Sequence, residues 1–262
     1  MILNLKNIEL SFTNSRKEVF NLLNGVNLSV PEGKITALVG GNGTGKTTLF
    51  NIVSGFQEDY KGGVFFDGKD ITGKPAHKVA RLGIGRLFQG RQLMGDLTIL
   101  ENMMVASDNR TGESPFTSVF HPRKIDERER QKRDEAIRIF KDIFGEQNKY
   151  LHMLDCKASE LSYGEQRLIA IARLLMNRKN KLLLLDEPTA GVNPVYIDII
   201  GKMISKMVEE NGLTVLLIEH NMHFVRDIAD YCAYLDEGKI EKFGTAHAVL
   251  DDREVRNSYL GL

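Results

Sequence analysis

The stretch ITALVGGNGTGKTT (35–48) narrows the possible folds more than any other part of the chain. Its first five residues, ITALV, make a strand with no solvent face, of the kind found in a parallel sheet covered on both sides. Glycines at 40, 43 and 45 then let the backbone curl, and a helix opens at Gly45. Gly40, four residues, then Gly45–Lys46–Thr47 is the spacing at which backbone N–H groups surround phosphate oxygens. A position after a strand and before a helix is what turns this pattern from coincidence into a phosphate-binding loop. In such a loop Lys46 neutralises the outer phosphates and the Thr47 hydroxyl can ligate Mg²⁺. Asn42, Thr44 and Thr48 belong to the same nucleotide-facing run.

The rest of the chain is organised around that unit. Ile8, Leu10 and Phe12 alternate as in a half-buried strand, and Leu28 and Val30 mark a second before Pro31. Val64–Phe66 forms a strand ending in the Asp67–Gly68 turn, followed by a helix around 75–82 and a strand at Ile84–Phe88. Thr98 with Glu101 is a capping box that opens a helix through Met104. SDNRTGESP (107–115) reads as a loop or hairpin and RKIDERERQKRDE (123–135) as a solvated, mixed-sign charged run. Ile137, Phe140 and Phe144 then give a helical apolar stripe. After Leu161 alternation returns, with LLLL (182–185) and TVLLI (214–218) as buried strands, and an amphipathic helix through Ile199, Ile200, Met203, Ile204 and Met207. Tyr231–Asp236 and Lys239–Phe243 flank a Glu–Gly turn, followed by short helices. Alternating strands and helices imply an α/β fold with a mainly parallel sheet.

Several strand ends carry polar groups. In an open α/β sheet ligands sit at the carboxyl ends of the strands. LLLLDEP (182–188) delivers Asp186, suited to a water-mediated Mg²⁺ contact, and Glu187, suited to polarising an attacking water. Gln89 follows one strand and His220 ends another; each alone says little, and His220 alone reads as a structural histidine. Together with Lys46 and Thr47 they converge on one edge. LSYGEQRLIAIARLL (161–175) adds a second helix start of the phosphate-facing kind. Ser162 and Glu165 form a capping box, and Ser162 and Gly164 leave backbone N–H groups available to an anion.

Composition removes other classes. With 42% hydrophobic residues, 262 residues can bury one substantial core. Lys+Arg and Asp+Glu both number 35, so no bulk field draws in nucleic acid or anionic lipid, and no nucleic-acid partner is expected. Cys156 and Cys232 lack metal-ligand spacing and read as ordinary thiols of a reducing compartment. The start, MILNLKNIEL, lacks the features of a signal peptide. No apolar run approaches the roughly 20 residues of a membrane-spanning helix, so a cytoplasmic protein is expected.

The ordered set GGNGTGKTT, Gln89, LSYGEQ, LLLLDEP, AGVNP (190–194) and His220 resembles the ATP-binding subunit of an ATP-binding cassette (ABC) transporter, over essentially the whole chain. The resemblance implies one ABC ATPase domain over 1–262. Residues 1–89 and 161–262 would form a nucleotide-binding P-loop core with an N-terminal antiparallel β part, and 90–160 a helical subdomain. It implies ATP and Mg²⁺ as ligands, with Gly40, Asn42, Gly43, Thr44, Gly45, Lys46, Thr47 and Thr48 around the phosphates and Thr47, Gln89 and Asp186 at the metal. Glu187, His220, Gln89 and Lys46 would act in hydrolysis. Ser162 and Gly164 would meet the γ-phosphate held by a facing cassette, which accounts for the second helix start, and Asn193 would reach across the same interface. Phe12 either stacks on adenine or continues the Ile8/Leu10 core face. The implied partners are a second ABC ATPase subunit, identical or related, membrane permease subunits gripped by the helical insertion and, indirectly, an extracytoplasmic solute-binding protein. The implied location is the cytoplasmic face of the membrane.

Tyr163 and Glu165 replace a commoner glycine and glutamine of the family signature, and Asn193 a commoner aspartate. LSYGEQ, AGVNP, RLFQGRQLMGDLTILENMMVA (86–106) and SYLGL (258–262) are similar to cassettes of branched-chain amino-acid importers. Within that system GRQL resembles one ATPase subunit and the longer loop after Ala106 the other. Urea or amide import and lipid or lipopolysaccharide export are the alternatives within the fold. A soluble ABC protein acting on DNA or ribosomes fits less well, since such proteins carry tandem cassettes or a long coiled coil.

Overall fold

The computed structural model describes residues 1–13, 19–90, 92–107, 122–145 and 151–260. In chain order the strands are β1 (Leu3–Thr13), β2 (Val19–Val30), β3 (Ile35–Val39), β4 (Lys61–Phe66), β5 (Lys69–Asp70), β6 (Ile84–Leu87), β7 (Leu182–Asp186), β8 (Thr214–Ile218), β9 (Tyr231–Asp236) and β10 (Lys239–Thr245). The α-helices are α1 (Lys46–Val53), α2 (Ala76–Arg81), α3 (Ile99–Val105), α4 (Pro122–Phe144), α5 (Tyr163–Ala172), α6 (Pro194–Glu209), α7 (Met222–Ile228), α8 (Ala246–Leu250) and α9 (Arg253–Leu260).

Two compact units emerge. The first comprises Met1–Gln89, Lys181–Ala190 and Ile197–Leu262, and the second Gly90–Asn180 with Gly191–Tyr196. The first contains a six-stranded sheet of order β10-β9-β3-β8-β7-β6. It is parallel except for the β9–β10 hairpin. Every residue of β3, β7 and β8 is buried, as their predominantly apolar runs require. Each such Leu, Ile or Val contributes about 1.5–3 kcal/mol through burial. A second, antiparallel sheet of order β2-β1-β4-β5 shares a core with it, including Leu3, Ile8, Phe50, Phe66, Leu184 and Leu216.

Register fixes where the site lies. Leu38 and Asp186 both pair with Ile218, and Leu87 pairs with Leu185, so the carboxyl ends of β3, β6, β7 and β8 share one edge. Everything that follows those strands, at residues 40–47, 89, 187 and 219–220, is therefore delivered to that edge.

The second unit is built from α3, α4, α5 and short 3₁₀ turns at His152–Asp155, Ala158–Glu160 and Arg173–Met176. Its core includes Ile99, Met103, Phe140, Met153, Ile169 and Ala172. The unit runs to Asn180, past the position 160 at which the sequence pattern divides the chain. The cause is the apolar face of α5, whose Ile169 and Ala172 pack with Ile99 and Phe140. The charged run 123–135 and the Ile137/Phe140/Phe144 stripe belong to one 23-residue helix, α4. The loop expected at 107–115 lies, after Ser107, outside the described residues, as do the last two residues of SYLGL. Phe12 corrects one of its two readings: it is 48% exposed and pairs with Phe20 across β1–β2, so it does not continue the core face of Ile8 and Leu10.

Candidate functional site

The loop after β3 is shaped by its glycines. Gly43 and Gly45 sit at φ 80° and 101°, where other residues are disfavoured. A Cβ at Gly45 would press on Leu23 Cδ2 at 2.7 Å, and one at Gly40 would collide with the Leu235 carbonyl oxygen. No side chain caps α1, and its first turn carries no acid. Its leading N–H groups are thus left to an outside acceptor. Lys46 is 6% exposed, and its Nζ donates to the Gly40 and Gly41 carbonyls at 2.8 and 2.7 Å. Burial lowers the Lys46 pKa from its ordinary value, opposed by the charges of Glu187 and Asp186. Thr44 Oγ1 donates to the Gly41 carbonyl, while Asn42 and Thr47 are exposed and Thr48 half-buried. Glycine-shaped backbone, an uncapped helix and a lysine folded into the loop fit a polyphosphate.

Asp186, at the end of β7, is 1% exposed, and its Oδ2 lies 3.5 Å from Arg86 Nη2. Arg86 Nη1 donates to Ser54 Oγ at 2.6 Å. Its guanidinium stands 4.5 Å from the Phe88 ring centroid, 5.7 Å from Phe56 and 5.9 Å from Phe50. Burial pulls the Arg86 pKa down and Asp186 opposes it; a guanidinium stays charged through both. Arg86 thus balances a buried carboxylate that would otherwise be expensive.

Glu187 adopts φ 48°, in the left-handed region, and its N–H donates to the Ile218 carbonyl at 3.0 Å. Its Oε1 lies 3.2 Å from His220 Nε2. The structure therefore brings Glu187 and His220 into direct contact, beside Asp186 and on the edge that carries the phosphate loop. Gln89 is exposed two residues beyond β6.

In the second unit Ser162 is the exposed N-cap of α5. Its hydroxyl donates to Glu165 Oε2 at 2.7 Å, its own N–H donates to the same oxygen at 2.9 Å, and its Oγ accepts the Glu165 N–H at 3.4 Å. Gly164 is buried against the Tyr196 ring, which a Cβ would meet at 2.6 Å. Asn193 is exposed, and its Oδ1 accepts the Val195 N–H.

Two polar residues of the site escape sequence reasoning, Arg86 and Glu219. The signal available for each is a single charge against an apolar strand segment, within it in IGRLF and just after it in LLIEH. Glu219 is 2% exposed and accepts from Thr189, His220 and Asn221.

Known proteins carry the same organisation. A family model described as ABC transporter matches residues 23–190. The high-affinity branched-chain amino acid transport ATP-binding protein BraF of Pseudomonas aeruginosa is 36% identical over 239 residues, 91% of each chain. The corresponding LivG of Escherichia coli is 31% identical over 239 residues, again 91% of each. Among solved structures, a nucleotide-free ATP-binding cassette from an ABC transporter matches with TM-score 0.80 and 33% identity over 100% of this chain and 99% of that one. A dimeric cassette in a post-hydrolysis state, bound to ADP and Pi, matches with TM-score 0.74 and 26% identity over 94% and 99%. The chain belongs to the ABC transporter family, as an ATP-binding and ATP-hydrolysing subunit.

Proposed function

We propose that this subunit powers import of branched-chain or other hydrophobic amino acids through a separate membrane permease, hydrolysing ATP between two cassettes. The observation that carries the hydrolytic part is the 3.2 Å contact of Glu187 with His220 beside the phosphate loop. Glu187 takes the proton of the attacking water as that oxygen bonds the γ-phosphorus, and the bond to the β-phosphate oxygen breaks. His220 holds Glu187 in place and donates toward the γ-phosphate. Lys46 leaves its two loop carbonyls for the stronger acceptors of the phosphates. Mg²⁺ would be held by the oxygens of Thr47, Gln89 and Asp186, a hard donor set suited to it, and would neutralise charge on the phosphates. Asp186 stands at the carboxyl end of β7 beside the Arg86 guanidinium, on the edge where that ion would sit. Phe12, exposed on β1, stacks on adenine.

Ser162 and Gly164 serve the nucleotide of a facing cassette, identical or related, and Asn193 reaches across the same interface. The dimeric relative bound to ADP and Pi supports this arrangement. The solute class rests on what the relatives BraF and LivG are named for. Among the described residues no helix is long and apolar enough to cross a membrane. We place the subunit at the cytoplasmic membrane face, held by permease subunits that receive solute from an extracytoplasmic binding protein.

Two measurements test this reading. Glu187→Gln lowers steady-state ATP turnover by roughly 10²–10⁴ while ATP binding is retained; turnover near wild type removes Glu187 from the role. Cells lacking the chain lose uptake of labelled leucine, and the wild-type chain restores it but Glu187→Gln does not. Unchanged leucine uptake in those cells refutes the solute class.

A further inference from the structure

We propose that Glu219 is a positioning residue of the ATPase site, whose buried carboxylate ties the backbone following Glu187 to the backbone carrying His220. This deepens the reading above and rests on Glu187 and His220 acting in hydrolysis. Oε1 of Glu219 accepts the Thr189 N–H at 2.8 Å and the Thr189 hydroxyl at 2.6 Å. Oε2 accepts the N–H groups of His220 at 2.9 Å and Asn221 at 3.2 Å. A carboxylate offers about four acceptor directions, and here four donors use them.

The consequence is geometric. Both oxygens belong to one rigid planar group, so Thr189 and the 220–221 backbone are held at a fixed offset. Glu187 is held from its other side, because its N–H donates to Ile218. Segment 187–189 is thus pinned to segment 218–221 at two points, on either side of Pro188. Between those pins Glu187 keeps φ 48°. A non-glycine residue persists in that region only where its surroundings over-determine it. Glu219 contributes to that determination, and with it to the 3.2 Å approach of Glu187 to His220. Glu219 lies thirty residues from Thr189 in sequence and meets it through two hydrogen bonds, so its effect on the reacting atoms passes through Thr189 and His220.

Glu219→Gln keeps the shape but turns an NH₂ group toward donors that need an acceptor. We expect kcat for ATP to fall about 10- to 100-fold, the scale of a misplaced reacting group, with KM for ATP near wild type. In a His220→Ala background the same change costs less than it does in wild type, because the Glu187–His220 approach that it sets is gone. Wild-type turnover by Glu219→Gln, or a full additional loss in the His220→Ala background, overturns the positioning role. Wild-type turnover by His220→Ala overturns the catalytic reading itself, and the proposal with it. If Glu219→Gln does not fold, Thr189→Val removes the hydroxyl donor alone. It should lower kcat roughly three- to tenfold, the worth of one buried hydrogen bond, while Thr189→Ser retains activity. Equal kcat for Thr189→Val and wild type refutes the tie.

Discussion

The two helix starts of this chain that resemble phosphate sites are built in opposite ways. The start of α1 is bare: Gly45 caps it without a side chain, no acid lies in its first turn, and a lysine is folded into the loop before it. The start of α5 is closed: Ser162 and Glu165 satisfy each other, and a carboxylate already occupies the positive end of the helix dipole. A helix that holds a nucleotide within its own unit keeps its donors open and relies on strained glycines to shape them. On the proposed reading, the second helix meets a phosphate only when another cassette closes on it; it would supply its own temporary anion, Glu165, for the incoming γ-phosphate to displace. The first arrangement favours tight binding, the second a reversible contact.

The largest test of this contrast lies at the far end of α1. Arg86 binds Ser54, the C-cap of that helix, as well as Asp186, so α1 is anchored at both ends. Arg86→Met takes the guanidinium away from buried Asp186. It should cost about 3–5 kcal/mol in urea unfolding, the usual effect of breaking a buried pair. Next comes Gly45→Ala, which forces a Cβ into the left-handed region at a cost of about 1–2 kcal/mol, before the clash with Leu23 is added. Calorimetric titration should show ATP affinity reduced at least tenfold, about the binding equivalent of that penalty. Ser162→Ala is milder. It removes the cap of α5, costs about 1 kcal/mol in thermal unfolding, and leaves the ATP affinity of the isolated subunit unchanged. Glu165→Gln is the smallest change, with a loss of about 0.3–1 kcal/mol from the first turn of the helix. It should nevertheless strengthen ATP-driven association, because the anion that competes with the γ-phosphate is gone; weaker association would contradict the displacement idea.

What was readable in the sequence follows from how local each signal is. The phosphate loop, both capping boxes and the apolar strands β3, β7 and β8 declare themselves within ten residues, because turn chemistry, caps and burial act over that range. The convergence of Gln89, Asp186, Glu187 and His220 was legible because parallel strands end on one edge. Their finer arrangement was not. The left-handed backbone of Glu187 depends on hydrogen bonds from segments thirty residues away, and Glu219 looks like one more polar residue after LLI. Arg86 depends on three aromatic rings at positions 50, 56 and 88, which no spacing rule relates. The extent of the second unit was hidden for a similar reason: α5 carries a cap that advertises the nucleotide and an apolar face that belongs to the helical core. Phe12 shows the limit of alternation as a guide, since the two residues before it on its face are buried and it is not.

In the proposed dimer, the open helix start of one subunit and the closed helix start of another complete a single ATP site. Sedimentation of the Glu187→Gln variant with Mg-ATP measures this most directly. We expect a dimer that forms with ATP, dissociates with ADP, and disappears when Ser162→Arg is added while ATP binding persists. A variant that binds Mg-ATP and remains monomeric, or a dimer indifferent to Ser162→Arg, would contradict it.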